Sequence, residues 1–259
     1  MFDRAAHASL GTLAMHFDLI RHSAVTSTMD VCRQLAERGA PEGTVVMADE
    51  QTAGRGRAGR AWFSPPGQSL YVSIVLRPQL APRQISWLTM IGALATYEMV
   101  NEEVRMEQER VNSRLTIKWF NDLLLDGRKL AGVLVETTLM GERLDYAVLG
   151  IGLNVNTRFD DAPEDVRQRA TSLREAFGRE FDREAVLQSL LRLFSDRYEA
   201  LPASPVADYV RALGTLGKRV RLSAGEEIVE GEAVRVEEDG ALVVATENGE
   251  SVVRFGDVA

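Results

Sequence analysis

A loop of glycine and arginine is the first segment of this chain that could do chemistry. In 54-GRGRAGRAW-62, three arginines and three glycines stand together and a tryptophan closes the run. Glycines let a backbone approach a ligand closely and expose its N–H groups. Arginines donate paired hydrogen bonds to phosphate or carboxylate, and an indole offers a flat face to a base. The composition favours a nucleotide site, and the plainer alternative is a solvated arginine loop.

The charge distribution supports an anionic ligand at this loop. The chain has 259 residues and a formal net charge of −8, yet the stretch from Gln51 to Tyr97 holds five arginines and no carboxylate. Such a positive zone attracts an anion against the overall field. The acidic balance of the whole chain argues against general nucleic-acid binding, which depends on clustered cations.

Lysine usage singles out a second cluster. Only Lys118, Lys129 and Lys218 are lysines among 30 basic residues, so a lysine here suggests a need for a compact ammonium. Two of them, Lys118 and Lys129, begin the segments 118-KWFND-122 and 129-KLAG-132. Asp122, in the first segment, could pair with a lysine or bind Mg²⁺. Gly132 weakens a strand unless something approaches the backbone there. The alternative is an ordinary Asn-Asp turn with Trp119 in the core.

A third cluster is 150-GIGLNVN-156. Gly150 and Gly152 interrupt a strand that otherwise reads as buried, as a wall lying close to a ligand would require. The amide of Asn154 could bond a sugar or a base. The alternative is a strand end followed by a turn.

Several other kinds of site are excluded. Gly54, Gly56 and Gly59 fit the dinucleotide fingerprint, but 63-FSPPG-67 cannot open the helix that this fingerprint needs. The three histidines, all within the first 22 residues, form no zinc cluster with the one cysteine, Cys32. No G-x-S-x-G nucleophile motif occurs. The remaining cations, glycines and amides would act by positioning and charge stabilisation.

The elements that must position these clusters predict an α+β fold. Strands are predicted at 16–21, 44–48, 69–76, 115–119, 129–137 and 144–155, and helices at about 27–38, 84–104, 184–200 and 205–213. Ser27 and Asp30 have a spacing like that of a capping box at a helix start. Residues 156–183 are polar and poorly patterned. The tail 218–255, with hairpin signals at Asp239-Gly240 and Asn248-Gly249, predicts a small β unit of barrel type.

Composition also bounds the organisation and location of the protein. The change of pattern near Thr215 divides the chain into residues 1–214 and 215–259. No apolar run approaches the roughly 18 residues of a membrane span, and the N-terminus does not have the pattern of a signal peptide. A single cysteine predicts a reducing compartment, the cytoplasm.

The order of these motifs resembles that of the biotin–protein ligases. The resemblance runs from about Ser23 to Ala259 through 26-TSTM-29, 50-EQTAGRGRAGRAWFSP-65, 118-KWFND-122, 129-KLAG-132, 150-GIGLNVN-156 and the β tail. It implies a mixed, largely antiparallel sheet flanked by helices, as in class II synthetases, with a C-terminal SH3-like β-barrel. Only about 25 residues precede the motifs, so no DNA-binding domain and no DNA partner are expected.

The resemblance implies an activity and a role for each matching residue. ATP would activate biotin as biotinyl-5′-AMP, which a lysine of a biotin carboxyl carrier protein would attack. Biotin would contact Ser27, Thr28, Gln51, Gly54, Arg55, Lys129, Gly132, Gly150 and Gly152. The nucleotide would contact Arg57, Arg60, Trp62, Lys118, Asn121 and Asn154. Lys129, Arg57 and Lys118 would stabilise the reacting charges, and Asp122 would bind Mg²⁺.

Two departures and two alternatives accompany this resemblance. Met29 stands where the family commonly has asparagine, and Phe120 stands where it commonly has proline. Either change could weaken affinity, but neither removes a cation. A lipoate or octanoate ligase shares the adenylation chemistry, and a non-catalytic module could bind a biotin adenylate without turnover. Both a monomer and a homodimer remain open.

Overall fold

The computed structural model describes residues 15–106, 114–141, 143–224 and 227–258. The N-terminal segment that the signal-peptide expectation concerned, including His7, lies outside these ranges. The larger part of the fold contains β1 (Asp18–Val25), α1 (Thr28–Glu37), β2 (Thr44–Gln51), β3 (Leu70–Leu76), α2 (Ser86–Met106), β4 (Leu115–Lys118), β5 (Asp122–Leu125), β6 (Arg128–Met140), β7 (Arg143–Leu153), α3 (Glu164–Arg169), α4 (Leu173–Phe177), α5 (Arg183–Glu199) and α6 (Val206–Ala212). The tail contains β8 (Arg219–Ala224), β9 (Glu227–Val236), β10 (Leu242–Thr246), β11 (Gly249–Val253) and β12 (Asp257–Val258).

The large sheet has seven strands in the order β1-β2-β3-β7-β6-β5-β4. The pair β1–β2 is parallel and every other neighbouring pair is antiparallel. This arrangement confirms the prediction of a mixed, largely antiparallel sheet. Because side chains alternate between the two faces of a strand, each strand divides its residues between a helix-covered core and the opposite face.

The alternation decides where the glycines lie. Leu149, Ile151 and Leu153 of β7 point into the main core, together with buried residues of α2 and α5. Gly150 and Gly152 therefore lie on the opposite face, where α1 packs over part of the sheet. In the register, Gly152 stands directly opposite Gly132 of β6. The backbone thus places the three predicted glycines of β6 and β7 on one surface.

Several elements differ from the sequence prediction. The predicted Asn121-Asp122 turn continues into β5, a strand that was not predicted, and 156–183 contains the short helices α3 and α4. The predicted capping by Ser27 is wrong in its details, because the Ser27 side chain makes no capping hydrogen bond. Gln51 Oε1 accepts instead from the backbone N–H of Thr28 at 2.9 Å. Tertiary contact replaces the local cap.

The tail forms a second, antiparallel sheet in the order β11-β10-β9-β8-β12. Within the described ranges its pairing leaves β11 and β12 as edges, so the predicted barrel is an open five-stranded sheet. Its turn at 237–240 is fastened to the rest of the chain by buried donors. Trp87 Nε1 donates to Glu238 O at 2.7 Å and Trp119 Nε1 to Gly240 O at 3.0 Å.

No helix within the described ranges combines the length and the apolar character that crossing a membrane requires.

The link between the two sheets predicts a stability effect at Thr215. Thr215 is buried, and its hydroxyl oxygen accepts from the backbone N–H of Trp119 at 2.9 Å. Thr215→Val keeps the shape but leaves that buried N–H unpaired, so the free energy of unfolding should fall by about 1–3 kcal/mol. Chemical denaturation measures the change. Thr138→Val, at an exposed position of β6, is the matched control, and an equal effect of both substitutions would contradict this account.

Candidate active site

One cavity of about 420 Å³ gathers almost all of the predicted site residues. It lies on the glycine-bearing face of the large sheet, and its volume falls in the range of small-molecule sites. The Gly/Arg loop, the start of α1, the 118–122 turn, β6, β7 and α3 all contribute to its walls. Only Gly54 and Asn154, of the predicted residues, are not part of this lining.

One end of the cavity carries a chain of hydroxyl and amide groups. Ser73 Oγ donates to Thr28 Oγ1 at 2.8 Å, and Thr28 Oγ1 donates to Gln51 Oε1 at 3.1 Å. Ser27 lines the same end, and its buried Oγ has no hydrogen-bond partner among the described residues. A buried hydroxyl left unpaired costs free energy. This end is therefore suited to a ligand with its own hydrogen-bonding groups.

The middle of the cavity is built on a tryptophan lying against two glycines. A Cβ on Gly152 would come within 2.7 Å of the Trp62 indole, and one on Gly132 within 3.2 Å. Lys129 Nζ lies over the same indole, 5.2 Å from the ring centroid. The cross-strand glycine pair therefore makes the room that the indole occupies. Trp62 Nε1 is buried next to Gly152 and has no hydrogen-bond partner among the described residues.

Met29 occupies the space above the third glycine. A Cβ on Gly150 would lie 2.4 Å from Met29 Sδ. Met29 is buried and lines the cavity. The thioether therefore closes the wall with an apolar group at this departure from the family pattern.

Each arginine of the loop is held by a different part of the fold. Arg55 pairs with Asp30 of α1 at 2.9 Å and with Glu136 of β6 at 3.1 Å. Arg57 donates to Asn121 Oδ1 at 3.1 Å and to Gly256 O at 2.8 Å. Arg60 forms a salt bridge with Asp257. The alternative of a freely solvated arginine loop does not describe this structure.

The lysines form the cationic centre with the 118–122 turn. Lys129 Nζ lies 2.7 Å from Asp122 Oδ1. Burial lowers the pKa of Lys118, the nearby Lys129 lowers it further, and Asp122 acts in the opposite direction. Asn121 Nδ2 donates to Val133 O at 2.6 Å, which fixes the turn against β6. In the described ranges no group of three potential metal-ligating side chains occurs, and Asp122 is a single carboxylate beside these cations.

The two residues outside the lining support it from behind. A Cβ on Gly54 would lie 2.7 Å from Ser64 Oγ and 2.9 Å from Gln51 Nε2, so glycine lets the loop pack on Gln51. Asn154 is 4% exposed, and its Nδ2 donates to Thr171 O at 3.0 Å. The expected contact of Asn154 with a nucleotide is therefore not supported by its position. Its amide instead joins the end of β7 to the segment after α3.

Helix α3 is the part of the lining that the sequence prediction missed. Asp165, Val166, Gln168 and Arg169 of this helix border the cavity. Six residues are too short for a helical period to stand out from a polar background. Thr171 N donates to Lys129 O at 2.9 Å, and this bond brings α3 next to β6.

Phe120, the second departure, sits in a turn that is firmly held. Tyr209 Oη donates to Phe120 O at 2.7 Å. The Phe120 ring contacts the rings of Trp119 and Tyr209, with centroids at 5.6 and 6.4 Å. These contacts restrict the turn as a proline would by its own ring.

Comparisons with known proteins bear on this site. The family model described as the biotin/lipoate A/B protein ligase family matches residues 22–154, and the model of the biotin protein ligase C-terminal domain matches residues 215–259. A bifunctional ligase/repressor BirA of Bacillus subtilis is 34% identical over 256 residues, covering 96% of this chain and 76% of the relative. A biotin--[acetyl-CoA-carboxylase] ligase of Mycobacterium tuberculosis is 33% identical, covering 93% and 87%.

A solved structure gives the same result. A biotin protein ligase from Aquifex aeolicus in complex with biotin and ATP superimposes with a TM-score of 0.77 at 31% identity. The match covers 93% of this chain and 97% of that one. The chain is thus similar to these proteins over both sheets.

The glycine–tryptophan contact yields a spectroscopic prediction. Gly152→Ala places a methyl group where the Trp62 indole lies, so the indole must move and its emission spectrum should shift. The effect is read by intrinsic fluorescence of the purified protein. Trp62→Phe removes the reporter, and adding Gly152→Ala to that variant should change the emission of Trp87 and Trp119 little. A spectrum of the single Gly152→Ala variant identical to that of the wild type would disprove the contact.

Proposed function

This chain belongs to the biotin/lipoate A/B protein ligase family, and we propose that it is a biotin–protein ligase. It activates biotin with ATP to biotinyl-5′-AMP and transfers the biotinyl group to a lysine of a biotin carboxyl carrier protein. One observation carries the proposal: a single cavity joins a hydroxyl- and amide-lined end to a cluster formed by Lys118, Lys129, Arg57 and Arg60. The first end suits the polar ring system of biotin, and the cluster suits phosphates.

Biotin occupies the end formed by α1 and the glycine face. Ser27 supplies the unpaired hydroxyl, while Thr28 and Gln51 form the hydrogen-bonded chain behind it. Gly132, Gly150 and Gly152 let the Trp62 indole and the Met29 thioether pack close to the sheet, which leaves room for the fused rings beside them. Gly54 and Arg55 order the loop over this end, and the Arg55 ion pairs with α1 and β6 support that role.

The nucleotide occupies the cationic end. Arg57 and Arg60 bind phosphate oxygens, Lys118 and Asn121 bind from the turn, and Trp62 offers its ring near the base. Asn154 has a supporting role in this proposal, because its amide is engaged behind the wall. The cavity-lining residues of α3 complete the nucleotide end.

The chemistry follows from the placement of charge. A carboxylate oxygen of biotin attacks the α-phosphorus of ATP, the bond from that phosphorus to the bridging oxygen breaks, and pyrophosphate leaves. Negative charge spreads over the phosphate oxygens as this happens. Lys129, with Arg57 and Lys118, stabilises that charge by fixed positive groups, which is the main tool for this class of reaction.

The second step transfers the biotinyl group. The neutral amine of the acceptor lysine attacks the acyl carbon and loses one proton to solvent, an amide bond forms, and AMP leaves with the electron pair of the broken C–O bond. An acyl adenylate also reacts with water, so a loop that covers the site protects it. We assign these steps to residues 1–214 and regard 215–259 as a second domain that completes the site.

The cationic end offers Mg²⁺ one protein carboxylate. Mg²⁺ commonly binds through substrate phosphates and only one or two carboxylates, and Asp122 offers one carboxylate at the cationic end. Asp122 would hold the ion, which would supply charge neutralisation for the phosphates. In the structure the Asp122 carboxylate pairs with Lys129.

The location proposed is the cytoplasm. Cys32 is free and fully buried, and burial raises the pKa of its thiol to about 12. It therefore stays an unreactive thiol. The sequence has no second cysteine for an internal disulfide, and this supports a reducing compartment.

The proposed adenylation is tested by ATP–pyrophosphate exchange. We expect exchange that depends on biotin and falls by about 10²–10³-fold in Lys129→Ala, because a group that stabilises the transition-state charge is lost. Lys218→Ala changes an exposed lysine of the tail and is the matched control, with unchanged exchange. Lipoate in parallel separates the closest alternative: exchange with lipoate and not with biotin would overturn the substrate but keep the family. No exchange with either would leave only a binding role.

Lys118 gives the reaction an alkaline limit. Burial lowers the pKa of this lysine, so raising the pH removes its charge earlier than for an exposed lysine, and the KM for ATP should rise there. Lys118→Arg keeps the charge to higher pH, so the alkaline limb of kcat/KM for ATP should move upward. Coinciding limbs for the two proteins would show that Lys118 is not the titrating phosphate-binding group.

A further inference from the structure

The last described strand of the chain reaches the Gly/Arg loop. Arg60 forms a salt bridge with Asp257, and Arg57 Nη2 donates to Gly256 O at 2.8 Å. Gly256 has a φ of +144°, which L side chains rarely adopt, so a glycine is needed to turn this carbonyl toward Arg57. Both loop arginines proposed to bind phosphates are therefore held by adjacent residues of the tail, Gly256 and Asp257.

Asp257 is set within the field of the cationic end. It is among the charges that act on Lys118, together with Asp122, Lys129 and Arg60. The carboxylate of Asp257 thus lies close to cations that the proposed function assigns to ATP. It supplies negative charge in a place where pyrophosphate would supply more.

The contact is of a kind that a polyphosphate can break. The side chains of Arg60 and Asp257 are 62% and 40% exposed, and solvated ion pairs of this sort stabilise little. In the part of the chain that the structure describes, strand β12 comprises two residues and pairs with β8 alone, through Asp257–Ser223 and Val258–Leu222. A polyphosphate offers Arg60 more negative charge than the single exposed carboxylate does, and it can form the same bidentate pair with the guanidinium.

Building on the proposed function, we infer that Asp257 is an internal anion that competes with the pyrophosphate moiety for Arg60. Binding of ATP displaces the carboxylate and releases this part of the loop from the small sheet. Departure of pyrophosphate lets the salt bridge form again. The small sheet therefore favours product release, at the expense of some affinity for polyphosphate.

The test is a calorimetric titration of pyrophosphate, with Mg²⁺ present, into the full-length protein. Asp257→Asn removes the competing charge with little change of shape, and its dissociation constant should be about threefold lower than that of the wild type. Asp257→Ala should act in the same direction. Glu230→Gln removes an exposed carboxylate that pairs with Arg221 in the same sheet at 3.2 Å, and it should leave the constant unchanged.

A double substitution identifies the partner. In an Arg60→Ala background, adding Asp257→Asn should no longer tighten pyrophosphate binding, since the guanidinium that both anions share is gone. Equal or weaker binding in both Asp257 variants would overturn the inference, as would equal tightening by Glu230→Gln. With biotin-dependent exchange intact, such a result would leave the proposed function standing. A wild-type protein that neither binds pyrophosphate nor catalyses exchange would overturn both.

Discussion

The mutual repulsion of five cations around one cavity is the constraint on which the rest of the structure depends. Like charges a few ångströms apart in a partly buried site repel strongly unless oxygens offset them. The offsetting groups come from separate elements: Asp30 and Glu136 for Arg55, Asn121 and Gly256 for Arg57, Asp257 for Arg60, Asp122 for Lys129 and, by their charge, Asp122 and Asp257 for Lys118. The site is therefore as much an assembly of elements as a set of residues. A ligand with several negative charges can neutralise the same cations in place of these oxygens.

This constraint explains why the small sheet belongs to the site. One connection between the small sheet and the rest of the chain is firm. The carbonyls of the 237–240 turn accept hydrogen bonds from the indoles of Trp87 and Trp119, and the Thr215 hydroxyl accepts one from the backbone N–H of Trp119. It fixes the strand and turn that present Lys118. The other connection lies near the end of the tail, where the buried Gly256 accepts from Arg57 and Asp257 of β12 pairs with Arg60. Of these two contacts, the Arg60–Asp257 pair is exposed and weak. A firm attachment beside a weak one lets the edge of the sheet respond to the ligand while its turn stays in place.

The sequence predicted those parts of the site whose information is local. Arginines among glycines, and lysines in an arginine-rich chain, show by type alone that charge is needed. Glycines inside predicted strands show by type alone that something packs closely against the backbone there. The rest depends on contacts distant in sequence. Gln51 caps α1 although it is 23 positions from Thr28, and Asp257 reaches Arg60 from the far end of the chain.

Asn154 and helix α3 are two further cases in which contacts distant in sequence decide the outcome. An asparagine after a glycine-rich strand is equally suited to bonding a ligand or a backbone carbonyl, and only the packed structure shows that its amide goes to Thr171. The six residues of α3 gain their helical form from a docked position next to β6, because so short a helix is not stable by itself. Neither outcome follows from residue type and spacing.

The two departures from the family pattern show which features of the site tolerate change. Proline at position 120 would restrict the backbone by its ring, whereas here a hydrogen bond from the buried Tyr209 and two ring contacts restrict it. An asparagine at position 29 would offer a polar group, whereas Met29 packs its thioether over Gly150. Since neither position carries or neutralises a charge, the balance between the five cations and their oxygens is unchanged. Positions within that balance are constrained in a different way: replacing one partner leaves a charge without its counterpart, and no packing contact can restore it.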